Sequence, residues 1–472
     1  MNNDDKLIYD VAIIGAGVVG CAVARELAQY DLRAVLIEAA SDVGAGTSKA
    51  NTAILHTGYD GKPGFLETRL LRRGYDLLNE YGPQAGIPIE HTGALLVAWT
   101  DEQLQSLPAI RENAHRNGVT DVDFISLDEL YRREPHLGPG ALGALEVPGE
   151  SIICPFTPPL AFATQAVING VELRLNSPVQ AIEEEADFYA LHCPSGLIHC
   201  RYIVNAAGLE SDTINAMQGH DEFHIVPRRG ELIVFDKMAR PLVRHILMPV
   251  PTRTTKGVMI CPTVFGNILL GPTAEDIQDR TAAETTEAGL AAILDKGRQI
   301  LPELMEHEVT STYAGLRAAT EHSDYQIILH AKQRYLCIGG IRSTGLSASM
   351  GIAEYALEQL ESAGLKLKRK GEFLPVRVPN IGEASPRPYQ RDDMIRANPD
   401  YGRIICHCER VTRGEILDAT QTVIPARSFD ALRRRTRAQM GRCQGFYCSA
   451  EVTALLAQAT GQPVERLLAL EH

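Results

Sequence analysis

The sequence predicts an α/β protein: a Rossmann-like dinucleotide-binding body with an inserted, strand-richer α+β region, followed by a small helical domain. Three observations lead there. A strand, a glycine turn, a helix and a second strand open the chain; apolar strand segments recur through its middle; and two cysteine pairs framed by short helices follow a Pro- and Gly-rich break near residue 366. With 472 residues, 45% apolar and 22% charged, the chain suits two to four packed domains and not a disordered or fibrous protein.

Within residues 9–38, YDVAIIG reads as a buried strand, GAGVVG as the turn, CAVARELAQY as the helix and RAVLIE as the next strand. Gly15, Gly17 and Gly20 have the G-x-G-x-x-G spacing: a tight turn, close backbone approach to a pyrophosphate, and close helix packing. The phosphates then rest on a helix N-terminus. Glu38 ends the second strand, 18 residues after Gly20, where a carboxylate can accept bonds from ribose hydroxyls. This pattern alone does not separate FAD from NAD.

Further strands are expected at IVNAAG (203–208), ELIVF (231–235), NILLGP (267–272) and YLCIGG (335–340), and a helix at DEQLQSLPAIRENAHRNG. Residues 366–400 lose all periodicity and read as a linker. Beyond it, RGEILDATQ, SFDALRRRTRAQM and SAEVTALLAQATG read as short helices, with ends near Gly441 and Gly461. A domain of about 70 residues needs a staple, which a metal centre would supply.

Six cysteines are scattered singly (Cys21, Cys154, Cys193, Cys200, Cys261, Cys337) and read as buried thiols. The other four are paired, Cys406 with Cys408 as C-x-C and Cys443 with Cys448 as C-x-x-x-x-C. Four thiolates suit zinc or a 2Fe-2S cluster, and a C-x-C knuckle is unlike the common zinc-finger spacings. The net charge of −13 disfavours nucleic-acid binding. MNNDDKLIYD resembles no signal or transit peptide, and no run approaches the roughly 20 apolar residues of a membrane span, so a cytoplasmic location is expected, compatible with peripheral docking at the inner face of the membrane.

Several separated segments carry a resemblance: TSKANTAILHTGYDGKPG (47–64), VPRRGELIVF (226–235), TKGVMICPTVFGNILLGPT (255–273), YAGLRAAT (313–320) and IGGIRSTGLSASMGIAE (338–354). Through them the first 365 or so residues resemble the D-amino-acid-oxidase-type flavoproteins, in the branch of glycerol-3-phosphate oxidases and dehydrogenases and L-2-hydroxyglutarate oxidases. The resemblance implies FAD in place of NAD, and noncovalent binding is taken as the expectation although histidine and cysteine tethers both occur in that superfamily. It assigns cofactor contact to Thr47, Ser48, Gly340, Gly345, Leu346 and Ser347, an adenine-side backbone contact to Val179, and a lining turn to Ala207 and Gly208. Thr52 stands where that branch more often has serine beside the flavin.

For the substrate, His56 is the candidate base, since an imidazole with an ordinary pKa of about 6.5 suits proton acceptance near neutrality. Lys256 and Arg317 match positions that bind substrate phosphate in that branch, a point charge and a planar fork. Ser343 matches a further substrate-contacting serine, although the usual Ser-Pro is here Ser-Thr.

CHCERVTRGEI with MGRCQGFYC resembles, over about residues 401–450, the bacterioferritin-associated-ferredoxin-like 2Fe-2S domain, which implies Cys406, Cys408, Cys443 and Cys448 as its ligands. Phe446 replaces a usual glycine, which is expected to alter backbone approach to the cluster. The basic run Arg433, Arg434, Arg435 and Arg437 would offset the cluster's charge, greet an acidic partner, or form a solvated face.

The implied architecture is an FAD-binding domain (1–85, 150–215, 331–365), a substrate domain (86–149, 216–330), a linker (366–400) and a 2Fe-2S domain (401–472). The implied activity is hydride transfer to flavin from a small anionic secondary alcohol, glycerol 3-phosphate first. Electrons would pass through the cluster to an acceptor protein or a quinone-linked subunit. Oxidation of L-2-hydroxy acids, of amino acids or opines, and a redox-sensing subunit with a vestigial flavin site are the alternatives.

Overall fold

The computed structural model describes residues 7–251, 257–383 and 386–469. The chain opens with β1 (Ile8–Ile14), α1 (Val18–Leu27) and β2 (Ala34–Ile37), the strand-turn-helix-strand unit read from the sequence. β1 and β2 pair in parallel, with Ile14 opposite Ile37. Glu172–Arg174 continues the parallel sheet beyond β2. Gly196–Asn205 flanks β1 on the other side, and Tyr335–Gly339 pairs in parallel with its end. Three antiparallel strands, Ala181–Glu184, Tyr189–Cys193 and Gln326–His330, complete this eight-stranded sheet.

Alternation along β1 divides its side chains between two cores. Val11 and Ile13 face α1 and the helices Thr157–Ile168 and Gly345–Ser362, whereas Ala12 and Ile14 face the opposite cluster with Val35 and Ile37. Burial on both faces is why the strand reads as an unbroken apolar run.

The inserted region forms a second, nine-stranded sheet from residues 94–147 and 226–319. Its longest pairing joins Val226–Phe235 to Val309–Ala319 in antiparallel register, with Arg228 opposite Arg317. The hairpin 326–339 belongs to the first sheet, so the insertion ends a few residues earlier than expected.

Of residues 366–400, expected as a linker, 366–383 are laid along the body as a strap. Asp31 N–H donates to the Lys368 carbonyl at 2.8 Å, Lys370 N–H to Gln29 at 2.9 Å and Val378 N–H to Ala85 at 2.8 Å. Along 368–378 backbone groups are satisfied by distant partners, which leaves no local period to detect, whereas Asp392–Ala397 forms a short helix inside the stretch expected as a linker.

The C-terminal domain holds four helices, Arg413–Ala419, Phe429–Thr436, Ser449–Thr460 and Val464–Ala469, and one short strand pair. Thr412 and Glu415 form a reciprocal capping box on the first helix. Gly461, at φ +66°, ends the third as expected. The second helix stops at Thr436 and not near Gly441, because Arg437 takes a left-handed φ of +67° and closes it.

The basic run is not a solvated face. Arg434 and Arg435 are 6% and 5% exposed and converge on Asp42, itself 4% exposed, in the loop after β2. Arg435 is bidentate, at 2.7 and 2.8 Å. Arg437 pairs with Glu409 at 2.8 Å and lies 4.0 Å over the Phe265 ring. Lys49 adds a half-exposed pair to Asp430 at 3.0 Å. These contacts fasten the C-terminal domain to both sheets.

Burial alone would raise the Asp42 carboxyl, but the Arg435 and Arg434 guanidiniums hold it below its usual range. A depressed carboxylate stabilises the fold above its unfolded pKa, near 3.9, and loses that contribution as pH falls through the lower folded value. Asp42→Asn, which strands two buried guanidiniums, is therefore expected to cost about 3–5 kcal/mol at neutral pH, measured by chemical denaturation. The difference from wild type should shrink once the pH is taken well below 4.

Candidate active site and four-thiolate centre

Gly15 has φ +101°, and a Cβ there would lie 2.5 Å from the Ala206 carbonyl oxygen. At Gly20 a Cβ would lie 1.9 Å from the Gly15 oxygen, so α1 can close on the turn only with glycine. At Gly17 the sole neighbour within 4 Å is Ser48 Oγ at 3.4 Å, which leaves room above the helix N-terminus. Gly17 provides no side-chain cap, and Ser48 Oγ accepts the Val18 N–H at 2.9 Å. The next amides, of Val19 and Gly20, have no side-chain partner among the described residues, and beside this space they fit a pyrophosphate.

Glu38 leaves β2 with Oε2 accepting Ala16 N–H at 2.6 Å and Oε1 accepting Ala40 N–H at 2.8 Å. Burial pushes its carboxyl up while these amides pull it down. The turn Ala206–Gly208 abuts Gly15, and Ala207 packs in the same cluster as Val179. Gly340, at φ +63°, ends the strand 335–339. Gly345, Leu346 and Ser347 open the helix Gly345–Ser362, whose N-terminus has no side-chain cap. Thr344 is engaged elsewhere, with Tyr325 OH at 2.6 Å and Glu67 at 2.8 Å.

The loop 47–56 joins these parts. Thr47 Oγ1 donates to the Leu316 carbonyl at 2.9 Å, and Tyr313 OH donates to the Asn51 carbonyl at 2.7 Å. Thr52 meets the substrate sheet through its carbonyl, which accepts from Cys261 Sγ at 3.7 Å. Ser347 Oγ donates to the Ile54 carbonyl at 3.1 Å and accepts His56 N–H at 2.9 Å, so its hydroxyl is committed to the loop.

His56 Nδ1 lies 3.0 Å from Glu150 Oε2. Glu150 is fully buried, and its Oε1 accepts the Thr57 N–H at 2.7 Å and Oγ1–H at 2.8 Å. A carboxylate can only accept, so Nδ1 carries the proton and the ring's lone pair sits on Nε2. Glu150 is the buried partner of His56 that sequence reasoning missed. It lies 94 residues from its partner in a VPGES turn with no local signature.

Arg317 stands next to Leu316 and so beside the loop bearing His56. Its guanidinium covers Gly230, where a Cβ would fall 2.7 Å from Nη2. Burial, and then the neighbouring Arg228, lower its pKa. Among the described residues it has no carboxylate partner, only a 3.5 Å contact to the Thr273 carbonyl. A desolvated cation without a counter-charge is a ready anion site. Ser343 is exposed, without a hydrogen-bond partner among the described residues. Lys256 lies outside the described residues.

In the C-terminal domain Cys408 contacts Cys443 and Cys448 contacts Cys406, which gathers the four thiols. Burial pushes the Cys448 thiol up to about 12, with Cys406 beside it adding to the rise. Cys443 is held below its usual value: burial would raise it, but the amides of Tyr447, Gly445 and Phe446 and the Cys408 thiol outweigh that. Amides aimed at sulfur suit an anionic cluster. Phe446 does not obstruct this, since the left-handed turn is taken by Gln444 and Gly445 and the Phe446 side chain is 82% exposed. The six single cysteines are all buried.

Fold and site together define a dinucleotide-dependent oxidoreductase with an appended thiolate-ligated metal domain. Residues 10–359 match the FAD dependent oxidoreductase family, and the chain belongs to it. Residues 404–458 match the BFD-like 2Fe-2S binding domain, so the cofactors are FAD and a 2Fe-2S cluster. The chain is 38% identical to a glycerol 3-phosphate dehydrogenase of Caloramator mitchellensis, over 96% of this chain and 95% of that protein. It is 31% identical to a mitochondrial L-2-hydroxyglutarate dehydrogenase of Caenorhabditis elegans, over 56% of this chain and 63% of the relative. The solved structure of the dithionite-reduced L-alpha-glycerophosphate oxidase of Mycoplasma pneumoniae with FAD bound superposes with a TM-score of 0.75 at 27% identity, covering 79% of this chain and all of that one. No helix among the described residues is long and apolar enough to cross a membrane.

The interdomain pairs to Asp42 and Lys49 come from the helix 429–436 and not from the cluster loop. Cys443→Ser is therefore expected to abolish iron and acid-labile sulfide while leaving FAD stoichiometric, read by metal analysis and the flavin spectrum.

Proposed function

We propose that the protein oxidises glycerol 3-phosphate to dihydroxyacetone phosphate as a dehydrogenase. The observation that carries this is Arg317, a half-buried guanidinium without a carboxylate partner among the described residues, on the strand that holds the His56 loop. A planar fork there would grip the phosphate, with Lys256 as a second cation expected from the sequence alone. His56, fixed by Glu150 with its lone pair on Nε2, would take the hydroxyl proton, and the imidazolium so formed would be stabilised by the buried carboxylate. FAD, when bound, supplies the hydride acceptor.

The relatives named above as a dehydrogenase and an oxidase act on the same compound by name, and the 2Fe-2S domain favours the former reading here. A cluster passes electrons singly, which suits delivery to a separate acceptor protein or a quinone-linked subunit and is redundant for direct reaction with oxygen. The cluster loop presents Phe446 and Tyr447, 82% and 79% exposed, to such a partner. Because a guanidinium also fits a carboxylate, a substrate screen with an artificial electron acceptor decides between glycerol 3-phosphate and L-2-hydroxy acids. Comparable rates with unphosphorylated glycerol would overturn the phosphate reading.

Three variants separate the roles. His56→Ala should slow anaerobic flavin reduction by roughly 10² to 10⁴-fold with little change in substrate affinity. Glu150→Gln should slow the same step and move the acid limb of the pH–rate profile to lower pH, because the carboxylate no longer supports the imidazolium. Arg317→Ala should instead raise KM, by about 1.5–3 kcal/mol of lost charge-assisted binding, with FAD retained.

A further inference from the structure

At the end of the first sheet remote from the glycine turn, three potential ligands converge. His220 follows the helix Ser211–Met217, Glu222 lies two residues on, and His330 ends the strand Gln326–His330. One ligand atom from each lies within 4.8 Å of the others. The imidazoles stack with centroids 3.5 Å apart and planes at 13°. Glu222 Oε1 stands 3.3 Å from His330 Nε2 and 3.6 Å from His220 Nδ1.

The tautomers make this arrangement informative. His220 Nε2 is 2.7 Å from Gln333 Oε1, which only accepts, so the Nε2 proton points there and the lone pair of Nδ1 faces Glu222. His330 Nε2 is buried with no hydrogen-bond partner. No Lys or Arg among the described residues forms an ion pair with Glu222. Asn215, wholly buried, donates Nδ2 to Glu222 Oε2 at 2.8 Å and leaves Oδ1 unpartnered at the same place. Electron-rich atoms thus lie close together, and because stacked rings hold their in-plane lone pairs side by side, one imidazole has to turn about its Cβ–Cγ bond for both to reach a single ion. The separations match the edge of a tetrahedron with metal–ligand bonds near 2.0–2.1 Å, roughly 3.3 Å.

We infer that His220, Glu222 and His330 bind a divalent transition metal of the Zn²⁺ type. Two imidazoles and a carboxylate are a borderline-soft set that suits zinc above calcium or magnesium. The Gln333 carbonyl does for His220 what an outer carbonyl does for a metal-bound histidine, fixing tautomer and ring orientation. The role is structural. The ion would clip the loop that leads from the first sheet into Val226–Phe235 onto the hairpin 326–339. Tyr335, whose ring lies 5.8 and 5.9 Å from the two imidazoles, opens the strand that ends at Gly339. The strand's length, roughly 13 Å, separates this site from the Gly340 turn.

The test uses chelator-washed holoprotein whose cluster is verified by iron and sulfide, dialysed to equilibrium against Zn²⁺. One zinc per chain is expected without loss of iron, and its X-ray absorption should show only nitrogen and oxygen neighbours near ~2.0 Å. His220→Gln and His330→Gln should bind at least tenfold more weakly. Glu222→Gln and Gln333→Ala, the milder changes, keep the test decisive if the histidine variants misfold; the latter should weaken binding by roughly 10–100-fold. Absence of bound zinc overturns the inference, as does zinc held equally by all four variants. Sulfur neighbours would place the ion in the thiolate domain and overturn it too.

Discussion

The Asp42 carboxylate between Arg434 and Arg435 is the contact on which the arrangement of the molecule depends. Three ionised groups leave water there, and only their mutual pairing offsets the desolvation. Hydrophobic residues of equal volume would hold two domains together as firmly. What the ions add is direction, because a bidentate fork is satisfied in one orientation only. Asp42 lies between Glu38 and Thr47, on the segment connecting the end of β2 to the loop that carries His56. The domain holding the cluster therefore grips the same segment that shapes the cofactor site. Lys49, pairing with Asp430, repeats the grip one turn further on.

That grip explains how a loop so rich in small and polar residues becomes a precise support. Residues 47–56 form little secondary structure of their own beyond a single turn at Thr47–Lys49 and the short strand Ile54–Leu55. Their geometry is imposed from outside, by the Leu316 carbonyl, the Tyr313 hydroxyl and the Ser347 hydroxyl. Ala53 accepts a left-handed φ of +56° within it, a cost that such external bonds must cover. The two sheets and the C-terminal domain all contribute to holding this one segment.

Where a feature depends on near neighbours, the sequence shows it. The glycine turn, the helix end at Gly461 and the cysteine pairs are spaced within a few residues, and each requires its residue types for steric or bonding reasons that act locally. Glu150 and Asp42 are different. A buried carboxylate acquires its role from a partner 94 or almost 400 residues away, and nothing in its own neighbourhood distinguishes it from an exposed one. The arginine run shows the same limit from the other side: four basic residues in a helix read alike, yet two are swallowed by Asp42 and Arg437 by Glu409. The strap 366–383 is illegible for a related reason, since its order comes from the surface it lies on.

Charge placement also separates structural from functional cations. The chain carries 59 carboxylates against 46 lysines and arginines, so a buried arginine has no shortage of partners. Arg434, Arg435 and Arg437 each take one. Arg317 takes none among the described residues, although Glu231 and Glu275 lie on or beside the strand it pairs with and are themselves engaged by Arg229. Leaving a guanidinium desolvated and uncompensated costs stability that a single carboxylate would recover. In an acidic protein such an uncompensated charge is maintained at a cost, and in the proposed reading an anion arriving with the substrate would be its partner. In the proposed reading the anion would settle at Arg317, which would bring the carbon to be oxidised to the His56 loop that the neighbouring Leu316 carbonyl holds in register.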